Sequence, residues 1–370
     1  MKKNTNNSKV WFVIITTLVL VQTIFINTAM SAQYTRESIK QVQRKLNEQG
    51  YPVGTADGVM GKNSRGALRS YQKAKGLTIT GKLNKEIART MGLILKEVKY
   101  GQTFRNHLGM KFVTVPTGSF YMGSCGEYSG SDADKRRFMG LSNDAPCPSG
   151  KRKDSDARQD EFPQHKVIIS QPFQLAIYEV TVSQFKRYIA STGMTSLLTD
   201  DFIKANRHGN NTPVSEVSWD DVQKYIQWLN RTKPSSDRGT YALPTEAQWE
   251  YACRSKGKNQ KYCGGNNIGA LAWYSGNAGG KPHPVGRKNA NGLGVYDMSG
   301  NVWEWTQDRY GSYSSGKQNN PKGKSSGSRR VFRGGSWGDD ASDSRSAIRG
   351  DGSPDDRLRI IGFRLRRTSN

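Results

Sequence analysis

The sequence predicts an α+β protein in two parts, a small N-terminal all-α module of three helices and a larger C-terminal domain of mixed α+β type. Three observations predict it. Between about Ser38 and Leu93 apolar residues recur at helical spacing. From about Leu108 onward, short runs of alternating apolar residues are separated by glycine-rich turns, the pattern of short strands. Among those runs stand an amphipathic stretch headed by Ser218 and a second helical stretch headed by Thr245, both helix-capping residues, so the second part is not all-β. A chain of 370 residues is too long for one ordinary domain and leaves room for a processing segment besides.

That segment is read at residues 1–32. Lys2, Lys3 and Lys9 form a basic start, an apolar run follows from Val10 to about Ile26, and small residues stand at Ala29, Ser31 and Ala32. This is the order of an export signal cleaved near its end. An uncleaved anchor is the alternative, since the run approaches bilayer-spanning length, although Thr16, Thr17 and Gln22 interrupt it. Either way most of the chain is expected in the periplasm or cell envelope. Export makes the four cysteines interpretable, because an oxidising compartment favours disulfides. Cys125 with Cys147 and Cys253 with Cys263 fall as two pairs, each around a polar, glycine-rich loop, though four cysteines allow three connectivities. Zinc is the rival reading; no Cys-x-x-Cys occurs and the histidines are scattered. The net charge of +25 suits an anionic envelope, and no DNA- or RNA-binding motif accompanies it, so nucleic acid is not the expected partner.

In the helical module (33–93), Ile39, Val42 and Leu46 share one helix face, and Gly50 stands where a C-terminal cap needs positive φ. Asp57-Gly58 makes a turn, and Ser64 is the expected cap of the next helix, whose Ala67, Leu68 and Tyr71 face inward. A third short helix holds Ile87 and Met91. The series Gln43…Leu46…Gly50-Tyr51, Asp57-Gly58…Gly61 and Ala67-Leu68…Tyr71-Gln72…Gly76-Leu77…Gly81 resembles the peptidoglycan-binding three-helix domain. The resemblance implies peptidoglycan as partner. Its matched residues are fold determinants, so a helical spacer without wall affinity stays open. The surplus of Lys and Arg (Arg44, Lys45, Lys62, Arg65, Arg69, Lys73, Lys75) suits acidic stem peptides. A linker is read at 94–106.

In the C-terminal domain (107–370), residues 112–124 read as an opening strand pair about a Pro-Thr-Gly turn. Ser218 is the expected cap of a helix over Asp220–Leu229, and Thr245 of a helix with Glu246 in its positive first turn. The polar stretch Gly126–Glu161 reads as a surface loop. Glu161-Phe-Pro-Gln-His165, Tyr178-Glu-Val-Thr-Val-Ser-Gln-Phe185, Leu243-Pro-Thr-Glu-Ala-Gln-Trp-Glu-Tyr251, Asn291 through Trp305, and Arg333-Gly-Gly-Ser-Trp337 through Gly362-Phe-Arg364 together resemble the sulfatase-modifying factor family, which includes formylglycine-generating enzymes. The resemblance implies a C-type-lectin-like fold rich in loops.

The resemblance also implies sites. Calcium would be held at the positions matched by Asp297, Gly300, Val302 and Glu304, through two side chains and two main-chain carbonyls, a donor set of the hard oxygens calcium takes. The bland alternative is that Asp297 and Glu304 satisfy local backbone groups. A second calcium position near Asn277-Ala278 lacks its acidic residue. The family's oxidases hold copper with two cysteines after the Gly-Gly-Ser-aromatic turn, and here Asp339 and Ser344 stand at those places. Copper(I) prefers soft thiolates, so copper is not expected and a binding or structural role is. A formylglycine-generating oxidase acting on a sulfatase cysteine is the alternative. Between Gly338 and Ile360, Arg345-Ser-Ala347, Arg349 and Pro354 alternate with runs of Asp, Ser, Gly, Arg, Leu and Ile. That resembles the diversified face of variable proteins made by diversity-generating retroelements, with an ordinary solvated loop as the alternative.

Overall fold

The structure, a computed structural model, describes residue 34 and residues 36–95, 103–124 and 156–368. The export segment, Cys125 and Cys147 lie outside the described residues. Three helices build the N-terminal module: α1 (Arg36–Glu48), α2 (Lys62–Ala74) and α3 (Lys85–Thr90). Val42, Leu46, Leu68 and Tyr71 are fully buried and close with Val53, Ile87 and Met91 into one core. Gly50 takes φ +81 past the end of α1, and the Tyr51 N–H returns to the Leu46 carbonyl at 2.9 Å. Ser64 does not cap α2. Gly61 holds that position without a side-chain bond, and Ser64 lies inside the helix with its buried hydroxyl accepting from Gln43 Nε2 at 3.0 Å. The same amide donates to Asp57 Oδ1, while Gln43 Oε1 accepts the Gly58 N–H at 2.7 Å. One buried glutamine thus satisfies the Asp57-Gly58 turn, as buried polar groups require.

In the C-terminal domain, β1 (Thr103–Arg105) begins inside the stretch read as linker and pairs antiparallel with β2 (Lys111–Val115). The strands expected on either side of the Pro-Thr-Gly turn form, as β2 and β3 (Gly118–Met122), but they do not pair with each other. Both edges of β2 are taken, by β1 and by β5 (Phe173–Ala176). β3 pairs instead with β4 (His165–Ile169), which continues to β8 (Gln318–Asn319). The first sheet runs β1-β2-β5-β12-β6, ending in β12 (Arg366–Arg367) and β6 (Tyr241–Ala242). A third sheet runs β10 (Arg349–Gly352), β9 (Arg330–Arg333), β7 (Trp303–Arg309) and β11 (Ile361–Gly362). It gathers the closing motifs of the sequence into one layer.

Helices flank the sheets: α4 (Val182–Thr192), α5 (Asp200–Ala205), α6 (Trp219–Thr232), α7 (Glu246–Cys253) and α8 (Ile268–Leu271). Ser218 caps α6 and Thr245 caps α7 as expected; each hydroxyl accepts the N3 backbone N–H while the N3 side chain returns the bond. Such caps contribute about 1 kcal/mol each. The larger core centres on Phe112, Phe185, Tyr225, Trp305 and Phe363, with Phe185 stacked on Tyr225 at 5.5 Å. A second core holds Val115, Val167, Leu175, Trp249 and Met298. Cys253 and Cys263 form a disulfide (S–S 2.06 Å) that closes a loop of ten residues after α7. Among the described residues no helix is long and apolar enough to cross a membrane.

Candidate functional site

Four buried arginines from the closing sequence pair with buried glutamates of the C-terminal domain. Arg333 reaches Glu246 at 2.9 Å and Glu250 at 2.7 Å, and Arg349 holds Glu246 through two bonds of 2.6 and 3.0 Å. Arg345 grips Glu161 through bonds of 2.9 and 2.5 Å. Arg364 grips Glu304 through two bonds of 2.6 Å. Burial alone would push Glu246 toward the neutral acid, but Arg349 and Arg333 outweigh it and hold its carboxyl below the usual range. Glu161, read from sequence as the end of a surface loop, is a wholly buried anchor. Removing one partner of such a pair leaves an uncompensated buried charge, which costs about 3–5 kcal/mol.

The four calcium candidates fall together. Asp297 opens the turn at φ 55, in the left-handed region that Asp tolerates, and its Oδ2 accepts the Gly286 N–H at 2.6 Å. Gly300 follows at φ 74, and any side chain there would lie 2.2 Å from the Trp273 carbonyl oxygen. Val302 is fully buried and leads into Glu304 on β7. Glu304, however, is already committed: besides Arg364, its Oε2 accepts Trp249 Nε1 at 2.8 Å. A residue that sequence reasoning missed joins the cluster. Glu179 is 2 % exposed, and its Oε1 accepts Asn301 Nδ2 at 3.1 Å. Burial first, and the Asp297 carboxylate second, push Glu179 well above its ordinary range; burial pushes Asp297 up as well. Glu179 Oε2 and Asp297 Oδ1 are both buried without a hydrogen-bond partner. The sequence signals for Glu179 are its place in the Tyr178–Phe185 motif of the family resemblance and its setting, an acidic residue between Ile177 and Val180 in a run that buries.

These orphaned oxygens are the fit test for a cation. Hard, buried, unpartnered carboxylate oxygens beside a tight turn suit calcium better than any softer metal. Among the described residues no three His, Cys, Asp or Glu side chains converge in ligating geometry, so a cation here needs main-chain carbonyls as well. Near the second position, Asn277 Oδ1 accepts the Tyr274 N–H and the Ala278 carbonyl lies 2.8 Å from His283 Nε2, so local bonds occupy both.

At the two places matched to copper cysteines, Asp339 Oδ2 accepts Trp303 Nε1 at 2.8 Å and the Ser336 hydroxyl. Ser344 is fully buried, with its Oγ unpartnered. Around them the frame and the face separate. Ser344 through Arg349 are all buried, whereas Gly338, Asp340, Ser342, Asp355, Arg357, Leu358 and Arg359 are exposed.

A mixed α+β domain of this topology, closed by a Gly-Gly-Ser-Trp turn and pinned by buried Arg–Glu pairs, defines the class. The chain belongs to the sulfatase-modifying factor enzyme 1-like domain family, which matches residues 100–369, and residues 35–91 match a peptidoglycan binding domain. It is 28% identical over 292 residues to the formylglycine-generating enzyme of Mus musculus, covering 62% of this chain and 76% of that one. Among solved structures it is similar to PvdO from Pseudomonas aeruginosa (TM-score 0.55, 26% identity, 74% of this chain, 100% of that one). Treponema denticola variable protein 1 shares the fold (TM-score 0.54, 21% identity, 72% of this chain, 99% of that one).

Proposed function

We propose that this is an exported, wall-associated protein. Its helical module holds peptidoglycan, and its C-terminal domain is a calcium-supported binding module rather than a cysteine oxidase. One observation carries the second half. Where the family's oxidases place two thiols, Asp339 and Ser344 offer only oxygen, and the Asp339 Oδ2 atom is already engaged by Trp303 and Ser336. A carboxylate and a hydroxyl are poor ligands for copper(I). The two other cysteines among the described residues are joined in a disulfide. Calcium at the Asp297 turn would neutralise a buried acidic cluster and stiffen the loops behind the closing segment.

The binding-face reading is favoured by how the segment is built. Residues 344–349 are locked into the core, while Arg357, Leu358 and Arg359 are exposed, the Arg359 guanidinium lying 5.3 Å from the Trp337 ring. A rigid frame presenting changeable residues is what a recognition surface needs. Copper supplied with a sulfatase-motif peptide tests the choice: no aldehyde is expected by mass spectrometry. Aldehyde formed in proportion to the protein would establish the oxidase reading instead. Recovery on purified sacculi above that of an equally basic control protein is expected; recovery no better would remove the wall-binding half.

A further inference from the structure

We propose that the loop after α5, residues 207–211, and the loop 279–285 together form an anion site that takes a phosphoryl group. The two loops are tied side by side: the Val285 N–H donates to the Asn211 carbonyl at 3.0 Å. Each is also fixed to the body of the domain. The Ser183 N–H donates to the Asn210 carbonyl at 3.0 Å, and Asn301 Oδ1 accepts the His283 N–H at 2.9 Å. The His283 ring stacks on Trp273 at 3.8 Å. The outer side is open. Arg207, Gly209, Asn210, Asn211 and Lys281 are exposed, and nothing stands within 4 Å of where a side chain on Gly209, Gly279 or Gly280 would begin.

Hydrogen-bond polarity decides the sign of the ligand. The carbonyl oxygens that a cation would need are used within the protein. Gly209 O accepts from the Thr212 N–H and hydroxyl at 3.2 and 2.7 Å, Asn210 and Asn211 accept as above, and Ala278 O lies 2.8 Å from His283 Nε2. The charged and imidazole groups of the two loops are Arg207, His208, Lys281 and His283, and no acid stands in either loop. Among the described residues no ion pair engages Arg207 or Lys281. The four groups lie near one another: burial first, then Arg207, Lys281 and His283, hold the His208 imidazole below its ordinary range. Asn301 stands between His283 and the buried Glu179, bonding both. Like charges gathered without a counter-charge repel, and a bound anion removes that cost. A phosphoryl group carries about −1.5 to −2 near neutral pH, which answers both permanent charges, Arg207 and Lys281, where one carboxylate answers a single one. A planar guanidinium fork and a compact ammonium suit separate oxygens of one tetrahedral group.

Equilibrium dialysis of the full-length protein against radiolabelled inorganic phosphate, at neutral pH and about 0.15 M salt, tests this. A saturable site is expected. Arg207→Gln and Lys281→Gln should each weaken it about five-fold, as loss of one exposed charge contact does. Lys186→Gln combined with Lys224→Gln removes two exposed charges from α4 and α6 instead, and should leave affinity unchanged. All these positions are exposed, so every variant should melt with the wild type. Sedimentation with phosphatidylglycerol vesicles is the second arm. Recovery that falls in Arg207→Gln and Lys281→Gln but not in the control pair assigns the site to a lipid headgroup. Phosphate binding without such a fall assigns it to a soluble phosphate. No saturable phosphate binding, with vesicle recovery equal in all variants, would overturn the proposal. An equal loss in the control pair would overturn it too, because net charge alone would then account for the binding.

Discussion

Asp308 shows how a single buried group contributes to the pH response of the domain. It is 2 % exposed on β7, and its Oδ2 accepts the Glu246 N–H at 2.8 Å, at the start of α7. Burial, then the neighbouring Glu246 carboxylate, push its pKa up from 3.8 to about 8. The folded protein therefore keeps a proton that the unfolded chain releases near pH 4. Its contribution to stability is fully present below pH 4 and is lost as pH rises toward 8, at up to about 1.4 kcal/mol per pH unit. Asp308→Asn keeps the acceptor oxygen and removes the titration. The variant should melt above the wild type at pH 8, with the gap narrowing as pH falls and closing near pH 4; superimposable melting curves at pH 8 would count against this account. Individual charges of this kind were only half legible from sequence. The Asp297 turn was pointed to by the family resemblance, whose matched positions fall within eight residues of sequence. That Glu304 answers Arg364, sixty positions on, and that Glu179 enters the same cluster are properties of the folded layers alone.

At the scale of elements, α2 carries the clearest surface signal. Lys62, Arg65, Arg69 and Lys73 follow at three- and four-residue steps, so they lie along one side of the helix, all exposed, over about 16 Å. No acidic residue occurs in α2 to answer them. Such a ridge suits the ionised carboxylates of stem peptides. Exposed ion pairs contribute about 0.2–1 kcal/mol each, so four together are worth about half to three orders of magnitude in retention. Changing all four to Gln should lower recovery on sacculi about ten-fold at low salt, with the difference vanishing near 0.5 M salt and helicity by circular dichroism unchanged. Unchanged recovery at low salt would place wall contact on another surface. The loop after α7 offers a second test. Its disulfide closes ten residues, worth about 2–3 kcal/mol in the chain-entropy picture, so Cys253→Ser should lower the melting temperature by about 5–10 °C. Elements themselves read well where their signals are local, as at Ser218 and Thr245. Ser64 misled because a serine near a helix start has the same local signature whether it caps the helix or bonds Gln43 from within it. The β2–β3 hairpin misled for a related reason: alternation marks strands but not their partners, and β5 and β4 come later in the chain.

For the whole molecule, the two modules answer different questions, and their cores are built from separate sequence. Every residue of the helical core lies between Val42 and Leu95, and the ion pairs Arg44–Glu37 and Lys45–Glu48 are internal to the same module. The buried Arg–Glu frame of the C-terminal domain draws only on residues from Glu161 onward. A fragment spanning residues 33–95 should therefore fold by itself. At about 60 residues it is near the lower size limit for an unassisted core, so its stability should be modest, about 3–5 kcal/mol. Cooperative urea unfolding followed by circular dichroism, with a helical spectrum in water, is the expected result. The fragment should also be retained on sacculi as well as the full chain, since the basic ridge of α2 belongs to it entirely. A fragment that folds but is not retained would move wall contact to the C-terminal domain. One that does not fold would show that the helical core borrows stability from the rest of the chain, and the separation of anchoring from recognition would have to be abandoned.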